Sequence, residues 1–333
     1  MAQQQIYIGK TQVHVIEETA QDAHEAPAGT GANIFAASNV GVSFDSSNHE
    51  QNVIRADFLP MDDVPGIVSG SITFEVPIAG SGAAGTAPDF GEAVKGCGCR
   101  EIVVVSTSVE YVPSSIFTGA TDLPGPSYSC SVLRNGVRHA IKGGFGNVAV
   151  AGDIEGIGML RFTYTGAYVA FADDALEGPT YQATVPPAFR GSAAEINFGS
   201  AYPGVGETFG LTKFDFDLGN NLGVGRDFNE TGGVYGARIL GRNPSGSFNA
   251  EQTLAAQFNP FADWRAGTPG TFSTGVIGGT AGNKYQIDVP RMQLRTPEVS
   301  DDNGIARVSC PFSARALPTD AEGTGVLFSL IFT

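Results

Sequence analysis

Three glycines, Gly80, Gly82 and Gly85, have the G-x-G-x-x-G spacing of loops that bind the pyrophosphate of a dinucleotide cofactor. Such a site also needs a buried parallel strand before the loop, a full crossover helix after it and an acidic residue at the end of the next strand. Here the preceding segment is half polar, the following helix pattern is too short to cross a sheet, and Glu101 begins the next apolar run, residues 102–105. We therefore interpret the glycines as a structural loop and expect no cofactor.

Histidines and cysteines form no recognisable catalytic or metal-binding pattern. Neither a nucleophile elbow nor an H-E-x-x-H pair accompanies the four histidines, which are His14, His24, His49 and His139. The cysteines are too few and too scattered for a disulfide framework and have the wrong spacing for a zinc knuckle; they are Cys97, Cys99, Cys130 and Cys310. We predict free thiols, no catalytic residue, no metal site and no enzymatic activity.

Neighbouring carboxylates occur at Asp62-Asp63, Asp173-Asp174 and Asp301-Asp302. Adjacent acids point in different directions along a strand and are common in turns, so a glycosidase pair would need a suitable carboxylate separation. Residues 300–304 also offer oxygen ligands for calcium, but they lack the spaced acids and terminal glutamate of an EF-hand loop. Their Asn-Gly dipeptide favours a turn.

The glycine loop lies between a strand pattern and a short helix pattern. Apolar and polar residues alternate before the loop, with Ile72, Phe74 and Val76 on one face and Ser71, Thr73 and Glu75 on the other. After the loop, residues 88–95 predict a short helix, with Thr86 as a cap, Pro88 in the first turn and Gly96 as the stop. The segment therefore predicts a half-buried strand followed by a short flanking helix.

Composition indicates a mainly β protein. The chain has 333 residues, 45 glycines, 22 phenylalanines and only 16% charged residues, which favours many short strands and turns. Residues 103–109 and 160–168 are predicted strands, and the apolar residues 326–333 predict a final buried strand.

The formal net charge of −15 argues against a surface that grips nucleic acid by neutralising phosphates. It is compatible with an acidic wall that DNA passes without adhering. No apolar run approaches the length of a membrane helix, and the start, MAQQQ, does not resemble a signal peptide. We expect a protein that stays in the cytoplasm until it is assembled.

Residues 69–98, SGSITFEVPIAGSGAAGTAPDFGEAVKGCG, carry a family resemblance. They resemble the signature of the tail tube proteins of long, non-contractile-tailed bacteriophages (siphophage type). Weaker matches follow in order at residues 111–115, 135–139, 287–290 and 300–305. The resemblance covers roughly residues 36–333.

Dipeptides and short motifs recur in the same order along the chain, which predicts an internal duplication. The matched pairs are Phe44-Asp45 with Phe214-Asp215, Asp57-Phe58 with Asp227-Phe228, Ser69-Gly70-Ser71 with Ser245-Gly246-Ser247, Glu75 with Glu251, Gly146-Asn147 with Gly282-Asn283, and Gly156-Ile157 with Gly304-Ile305. A short helix is predicted after each SGS strand, at residues 88–95 and 260–265, each with a proline in its first turn and a glycine beyond its end. We predict an N-terminal arm (1–35), a first tail-tube β domain (36–175), a linker or loop (176–206) and a second β domain (207–333). The arm begins with two predicted strand fragments, at residues 6–8 and 12–16, and continues into a polar stretch at about residues 22–31 that is either disordered or, as we favour, held on a neighbouring subunit.

The resemblance implies two tandem β-sandwich or barrel domains per chain, each with a short flanking helix, and a structural role in the virion. Tail tube proteins place six such folds in a ring, and the rings stack into a hollow tube. Two folds per chain predict trimeric rings, with hexameric rings as the alternative. The implied partners are copies of the chain itself, the tape-measure protein and double-stranded DNA in the lumen, and the tail terminator and distal tail proteins; no membrane is expected.

Two sets of residues are candidates for this role. Gly80, Gly82 and Gly85 are a candidate inter-subunit loop, and Glu75 and Glu251 are candidate lumen-facing acids that would repel phosphates. The alternatives are another β-sandwich virion protein, for receptor binding or decoration, and a secreted carbohydrate-active β-sandwich protein.

Overall fold

The computed structural model describes residues 6–27, 33–51, 53–54, 56–57, 59, 61–114, 125–190, 194–198, 210–255, 257–317, 320 and 327–333. Strands account for 55% of the structure and helices for 4%, which confirms the prediction of a mainly β protein. The sheets are not closed into a barrel, so the single chain does not form the barrel that was one of the two expected forms.

The first half contains β1 (Thr11–Glu17), β2 (Ile34–Phe35), β3 (Ser38–His49), β4 (Val64–Pro77), α1 (Gly91–Lys95), β5 (Cys99–Val104), β6 (Ser108–Pro113), β7 (Tyr128–Arg134), β8 (Val137–Asp153) and β9 (Met159–Asp173). The second half contains β10 (Glu195–Asn197), β11 (Leu211–Asp217), β12 (Asn220–Arg226), β13 (Val234–Arg242), β14 (Ser245–Glu251), α2 (Pro260–Ala266), β15 (Pro269–Ser273), β16 (Tyr285–Leu294), β17 (Glu298–Asp302), β18 (Ile305–Ala314) and β19 (Ser329–Phe332).

Eight antiparallel strands form a continuous row, which we call the eight-strand row. Their spatial order is β3-β4-β9-β8-β11-β14-β18-β17, four strands from each half. The halves join at the β8–β11 pair in the middle. Among the described residues, β3 and β17 each pair with one strand of the row, so they are its two edges.

A second set of strands, in the order β5-β6-β19-β16-β15-β10, packs against one face of the row. Aromatic rings fill the space between them. Phe214 of β11 stacks on Phe272 of β15 with ring centroids 4.3 Å apart, and Phe216 stacks on Phe328 at 4.6 Å. The C-terminal strand β19 lies between β6 of the first half and β16 of the second, so both halves share one core.

Two local patterns account for the correct prediction of β4, β9 and β19: alternation of apolar and polar residues, and an apolar segment at the C-terminus. In β4, Ile72, Phe74 and Val76 are buried, as expected for the apolar face. The predicted strand at residues 160–168 is the centre of β9, and the predicted C-terminal strand contains β19, where Leu330 and Phe332 are buried.

Two predicted elements differ in detail. Residues 103–109 are not one strand: β5 and β6 form a hairpin whose turn has Ser106 at a φ of 56° and Thr107 N–H donating to the Val104 carbonyl at 2.9 Å. The turn was not predicted because the valines and serines on both sides of it fit a strand pattern. The first helix begins at Gly91 rather than at residue 88, and no side chain caps it.

The second helix has the predicted end signals. Pro260 is in its first turn, the Asn259 side chain accepts a hydrogen bond from Ala262 N–H at 3.1 Å, and Gly267 ends it with a φ of 65°.

The N-terminal residues that the structure describes are held by their own chain. The predicted strand at residues 12–16 is confirmed as β1, which pairs with β7, whereas residues 6–8 are not in a strand. Farther along, Asp22 forms an ion pair with Arg238 of β13 at 2.8 Å. These parts of the arm are therefore held by contacts within their own chain; residues 28–32 lie outside the described part, and a contact of the arm with a neighbouring subunit stays a prediction. The predicted linker contains β10, and the domain boundaries stay a prediction.

Candidate functional site

One face of the eight-strand row is polar, and we call it the polar face. Because alternate residues of a strand share a face, the pairing registers identify its members. Its acidic side chains include Asp45, Glu75, Asp153, Asp215, Asp217, Glu251, Glu298 and Asp302, and its basic side chains include Lys142, Arg161, Lys213 and Arg307. Acids outnumber bases on this face, whereas the opposite face carries the aromatic core.

The basic side chains of the polar face each contact an acid. The Arg161 Nε lies 3.0 Å from a Glu75 carboxylate oxygen, the Lys213 Nζ lies 2.9 Å from Asp215, and the Arg307 Nε lies 3.1 Å from Asp302. The remaining acids leave the face negatively charged, so it would repel a polyanion.

The candidate lumen acids occupy matching places on this face. Glu75 of β4 lies opposite Arg161 of β9, and Glu251 of β14 lies opposite Arg307 of β18. Glu75 also accepts a hydrogen bond from the Asn39 side chain at 2.6 Å. The structure thus brings both acids to one face, each beside an arginine; whether that face lines a lumen stays a prediction.

The glycine loop lies against a turn of the second half. Gly80 N–H donates to the Asn283 side-chain oxygen and Gly82 N–H donates to the Gly282 carbonyl, both at 2.9 Å. A β-carbon at Gly80 would clash with the Gly282 carbonyl oxygen, and one at Gly85 would clash with the Ser106 backbone nitrogen. The glycines are therefore needed for close packing within the chain, and their proposed role between subunits stays a prediction.

Two of the neighbouring carboxylates singled out in the sequence, Asp174 and Asp301, bind groups of their own chain. Asp174 forms an ion pair with Arg138 at 2.9 Å, and Asp301 accepts a hydrogen bond from Gly304 N–H at 2.7 Å. Asn303 and Gly304 have φ values of 52° and 87°, so residues 302–305 form the predicted tight turn. Among the described residues, no group of three or more His, Cys, Asp or Glu side chains could hold a metal ion.

The four cysteines are buried, and none of them forms a disulfide in the structure. Burial raises the pKa of the Cys99 thiol to about 11, so the thiol stays protonated near neutral pH and is a poor nucleophile.

A buried polar cluster surrounds β1. His14 is fully buried, and burial with the nearby His24 lowers its pKa to about 4. Glu18 accepts hydrogen bonds from Ser129 Oγ and Gly143 N–H, both at 2.8 Å, while burial raises its pKa. These groups connect the N-terminal strand to β7 and β8. Sequence reasoning did not predict this cluster, because its members form no recognisable motif.

Two strand pairs have the same register in the two halves. Along β4 and β9 the pairs run from Ser69–Ala167 to Glu75–Arg161, and along β14 and β18 they run from Ser245–Ser313 to Glu251–Arg307. The repeated SGS motifs and the repeated glutamates therefore coincide in structure as well as in sequence.

The strand beside each SGS motif also matches. Asp45 of β3 lies opposite Ser69, and Asp217 of β11 lies opposite Ser245. The sequence match of Phe44-Asp45 with Phe214-Asp215 is thus displaced by one period of the strand, because Phe216-Asp217 occupies the equivalent place. The F-D-F-D repeat in β11 made the two alignments indistinguishable.

The outer strand of each half completes the correspondence. Ala149 of β8 lies opposite Arg161, and Ser300 of β17 lies opposite Arg307. The matched Gly156-Ile157 and Gly304-Ile305 fall where β8 leads to β9 and β17 leads to β18. The match of Gly146-Asn147 with Gly282-Asn283 does not correspond, since the first lies within β8 and the second in the turn before β16.

In a comparison with known protein families, the chain matches the sequence model of the phage tail tube protein over residues 9–314. The chain belongs to the phage tail tube protein family. As a member it is a structural component of the virion, and the resemblance to phage tail tube proteins is confirmed. A search of curated proteins finds no match. In the part of the chain that the structure describes, no helix is long and apolar enough to span a bilayer.

Sequence reasoning missed most of the polar face of this tail tube protein. It selected Glu75 and Glu251 but not Asp45, Asp215 or Asp217. The alternation in Lys213-Phe214-Asp215-Phe216-Asp217 was a usable signal, since it places charges on one face and phenylalanines on the other.

Proposed function

We propose that the chain assembles into rings that stack into the tube of a long, non-contractile phage tail, and that double-stranded DNA passes through the tube into the host. The observation that carries this proposal is the eight-strand row, which ends in two edge strands, β3 and β17. An open sheet edge invites pairing with another chain, and closure into a ring satisfies both edges.

Duplication sets the expected size of the ring. The equivalent registers of β4–β9 and β14–β18 support two copies of one fold in each chain. Three chains would then supply six folds and 24 strands, eight from each chain, so we propose trimeric rings; hexameric rings are the alternative.

The polar face is the proposed lining of the lumen. Its excess of carboxylates, including Glu75 and Glu251, repels phosphates at short range, and salt screens this repulsion beyond about 10 Å. DNA would therefore move along the tube without adhering. The lumen would hold the tape-measure protein before DNA, and the tail terminator and distal tail proteins would close the two ends of the tube.

The glycine loop is a further proposed contact between subunits. Its exposed residues, Gly82 and Ala83, are the part that a neighbouring subunit could reach, because Gly80 and Gly85 are used within the chain.

Negative-stain microscopy of the purified protein tests the proposed function. We expect long hollow polymers with a regular ring repeat, and class averages in end view should show three-fold symmetry with a six-fold appearance. A receptor-binding or decoration protein would give discrete particles at every concentration, which would refute the tube. A secreted carbohydrate-active protein would bind or cleave glycans and form no tube.

A further inference from the structure

The two edges of the eight-strand row are exposed and partly apolar. All five residues of β17 are exposed, including Val299 at 54%, and Phe44 of β3 is 37% exposed. Each edge therefore offers unpaired backbone groups together with an apolar side chain that a second strand could cover.

The β8–β11 pair inside the chain shows how such edges fit together. Ala149 lies opposite Asp217, Val150 opposite Phe216 and Ala151 opposite Asp215, and Leu218 N–H donates to the Val148 carbonyl at 3.0 Å. This pair is an antiparallel joint between the first half and the second half.

The strands equivalent to β8 and β11 are β17 and β3, which are the two free edges of the row. Ser300 of β17 corresponds to Ala149 because both lie opposite the equivalent arginines, and Asp45 of β3 corresponds to Asp217 because both lie opposite the first serine of an SGS motif. The two strands that pair where the halves meet, β8 and β11, therefore have counterparts, β17 and β3, at the two outer edges of the row. Within the described part of the single chain, these counterparts do not pair with each other.

We infer that β17 of one subunit pairs antiparallel with β3 of the next subunit, in the register in which Ser300 lies opposite Asp45 of the partner subunit. Asp302 then lies opposite Ser43 of the partner subunit, and Val299 lies opposite Ser46 of the partner subunit. This inference rests on the proposed function and specifies the contact that closes the ring.

Charge and shape agree with this register. Asp45 faces a serine and Asp302 faces a serine, so no two acids are directly opposite, just as Asp215 and Asp217 face alanines at the internal joint. Val299 comes diagonally beside Phe44 of the partner subunit, so two exposed apolar side chains would cover each other.

A second contact follows from the same equivalence. The β12–β13 hairpin of the second half lies on the first half, where Glu230 pairs with Lys142 at 3.2 Å and Arg242 donates to the Gly98 carbonyl just after α1. The β3–β4 hairpin is its counterpart, and its exposed Val53 and Ile54 would lie on the second half of the neighbouring subunit, beyond the end of α2.

Paired cysteines test the register. Leu218 N–H bonding to Val148 makes Asp217–Ala149 a non-hydrogen-bonded pair, in which side chains are closest, so the equivalent pair suits a disulfide. We expect assembled D45C/S300C protein to migrate on a non-reducing gel as covalent multimers that end at the trimer. The native cysteines do not interfere, since all four are buried.

The matched control is D45C/D301C, in which the second cysteine is one residue out of register and points to the opposite face. It should stay monomeric on the gel although it forms the same polymers. Cross-linking of the control to the same extent, or of neither variant in visible tubes, overturns the register and leaves the tube intact. A wild-type protein that forms no polymer overturns both proposals.

Discussion

The joint inside the chain and the free edges of the eight-strand row use equivalent residues in opposite surroundings. Val150 of β8 and Phe216 of β11 are buried where the halves meet. Their counterparts, Asp301 of β17 and Phe44 of β3, are exposed. The β8–β11 joint inside the chain is thus permanent and apolar. At the free edges, the charged Asp301 of β17 takes the place of Val150.

This difference indicates how equivalent strand edges can have two roles: the apolar joint holds the two halves of the chain together, and the charged edges are left for assembly. A long apolar edge pairs with any available strand, and charged side chains on an edge discourage such pairing. The acids of β17 keep the free edge soluble, and in the proposed register none of them lies opposite another acid, whereas some other registers would bring acids together.

The largest expected effect comes from proline at equivalent positions of the two joints. Val148→Pro removes a backbone N–H from the interior of the sheet, where proline is not tolerated, so we expect no folded protein. Val299→Pro affects only the edge side of β17, so we expect a folded monomer with a near-normal melting temperature and no polymers. Circular dichroism and electron microscopy measure the two outcomes.

If both proline variants unfold, β17 belongs to the folding core rather than to an assembly edge. If V299P forms normal tubes, the edge has no role in assembly, and the equivalence of the two joints has no functional meaning.

Alanine substitutions at the equivalent residues Phe216 of β11 and Phe44 of β3 also compare the internal joint with a free edge. Phe216 stacks on Phe328, so Phe216→Ala should reduce the free energy of unfolding by about 3–5 kcal/mol. Phe44 is partly exposed beside Tyr168, so Phe44→Ala should cost the monomer only about 1 kcal/mol but raise the concentration needed for assembly. Denaturant unfolding of dilute protein and sedimentation of polymers separate the two effects; equal losses of monomer stability would contradict the comparison.

The pH dependence of stability near pH 4–6.5 that comes from histidines should arise in the first half, because all four histidines of the sequence lie there. The pKa of His14 falls from 6.5 to about 4 on folding, so the unfolded chain takes up a proton first. Stability is therefore complete above pH 6.5 and is lost towards pH 4, by about 3 kcal/mol for this group. Burial raises the pKa of Glu18, which has the opposite effect: its contribution is lost as pH rises.

The His14→Leu variant isolates this contribution. Between pH 6.5 and 4 its free energy of unfolding should fall less steeply than that of the wild type, with a residual slope from His24, whose pKa is also lowered. Denaturant titrations at several pH values measure the difference. Parallel curves for the two proteins would show that His14 is accessible to protons in the folded state.

The sequence was a good guide where a pattern was local. Alternation predicted β4 and β9, the apolar C-terminal segment predicted β19, and the proline and glycine around residues 260–267 predicted α2. The hairpin at Ser106 was missed because its turn residues also fit a strand.

Long-range pairing was not predictable in the same way. Which strand lies beside β8 depends on register, and a shift of two residues, as between Phe214 and Phe216, leaves the hydrophobic pattern unchanged. The repeat in the sequence indicated that two halves exist, but only the pairing of β8 with β11 shows which edges correspond.

The smallest effect on the monomer is expected from the equivalent acids of the polar face. Glu75→Lys loses the ion pair with the largely exposed Arg161, and Glu251→Lys loses its place opposite Arg307, so each should cost less than about 1 kcal/mol. In the assembled tube the double variant should bind double-stranded DNA at low salt and release it as salt increases. Co-sedimentation of a labelled duplex measures this binding.

Protection from nuclease distinguishes the lumen from the outer surface. DNA bound to a lysine-lined lumen is enclosed, so the duplex in E75K/E251K tubes should survive digestion, whereas a variant with Glu155→Lys in the exposed β8–β9 turn should bind DNA that stays sensitive. Sensitive DNA in both variants would place the polar face on the outside of the tube. Because neighbouring strands share one face, Asp45 and Asp302 at the closing joint would then be on the outside as well.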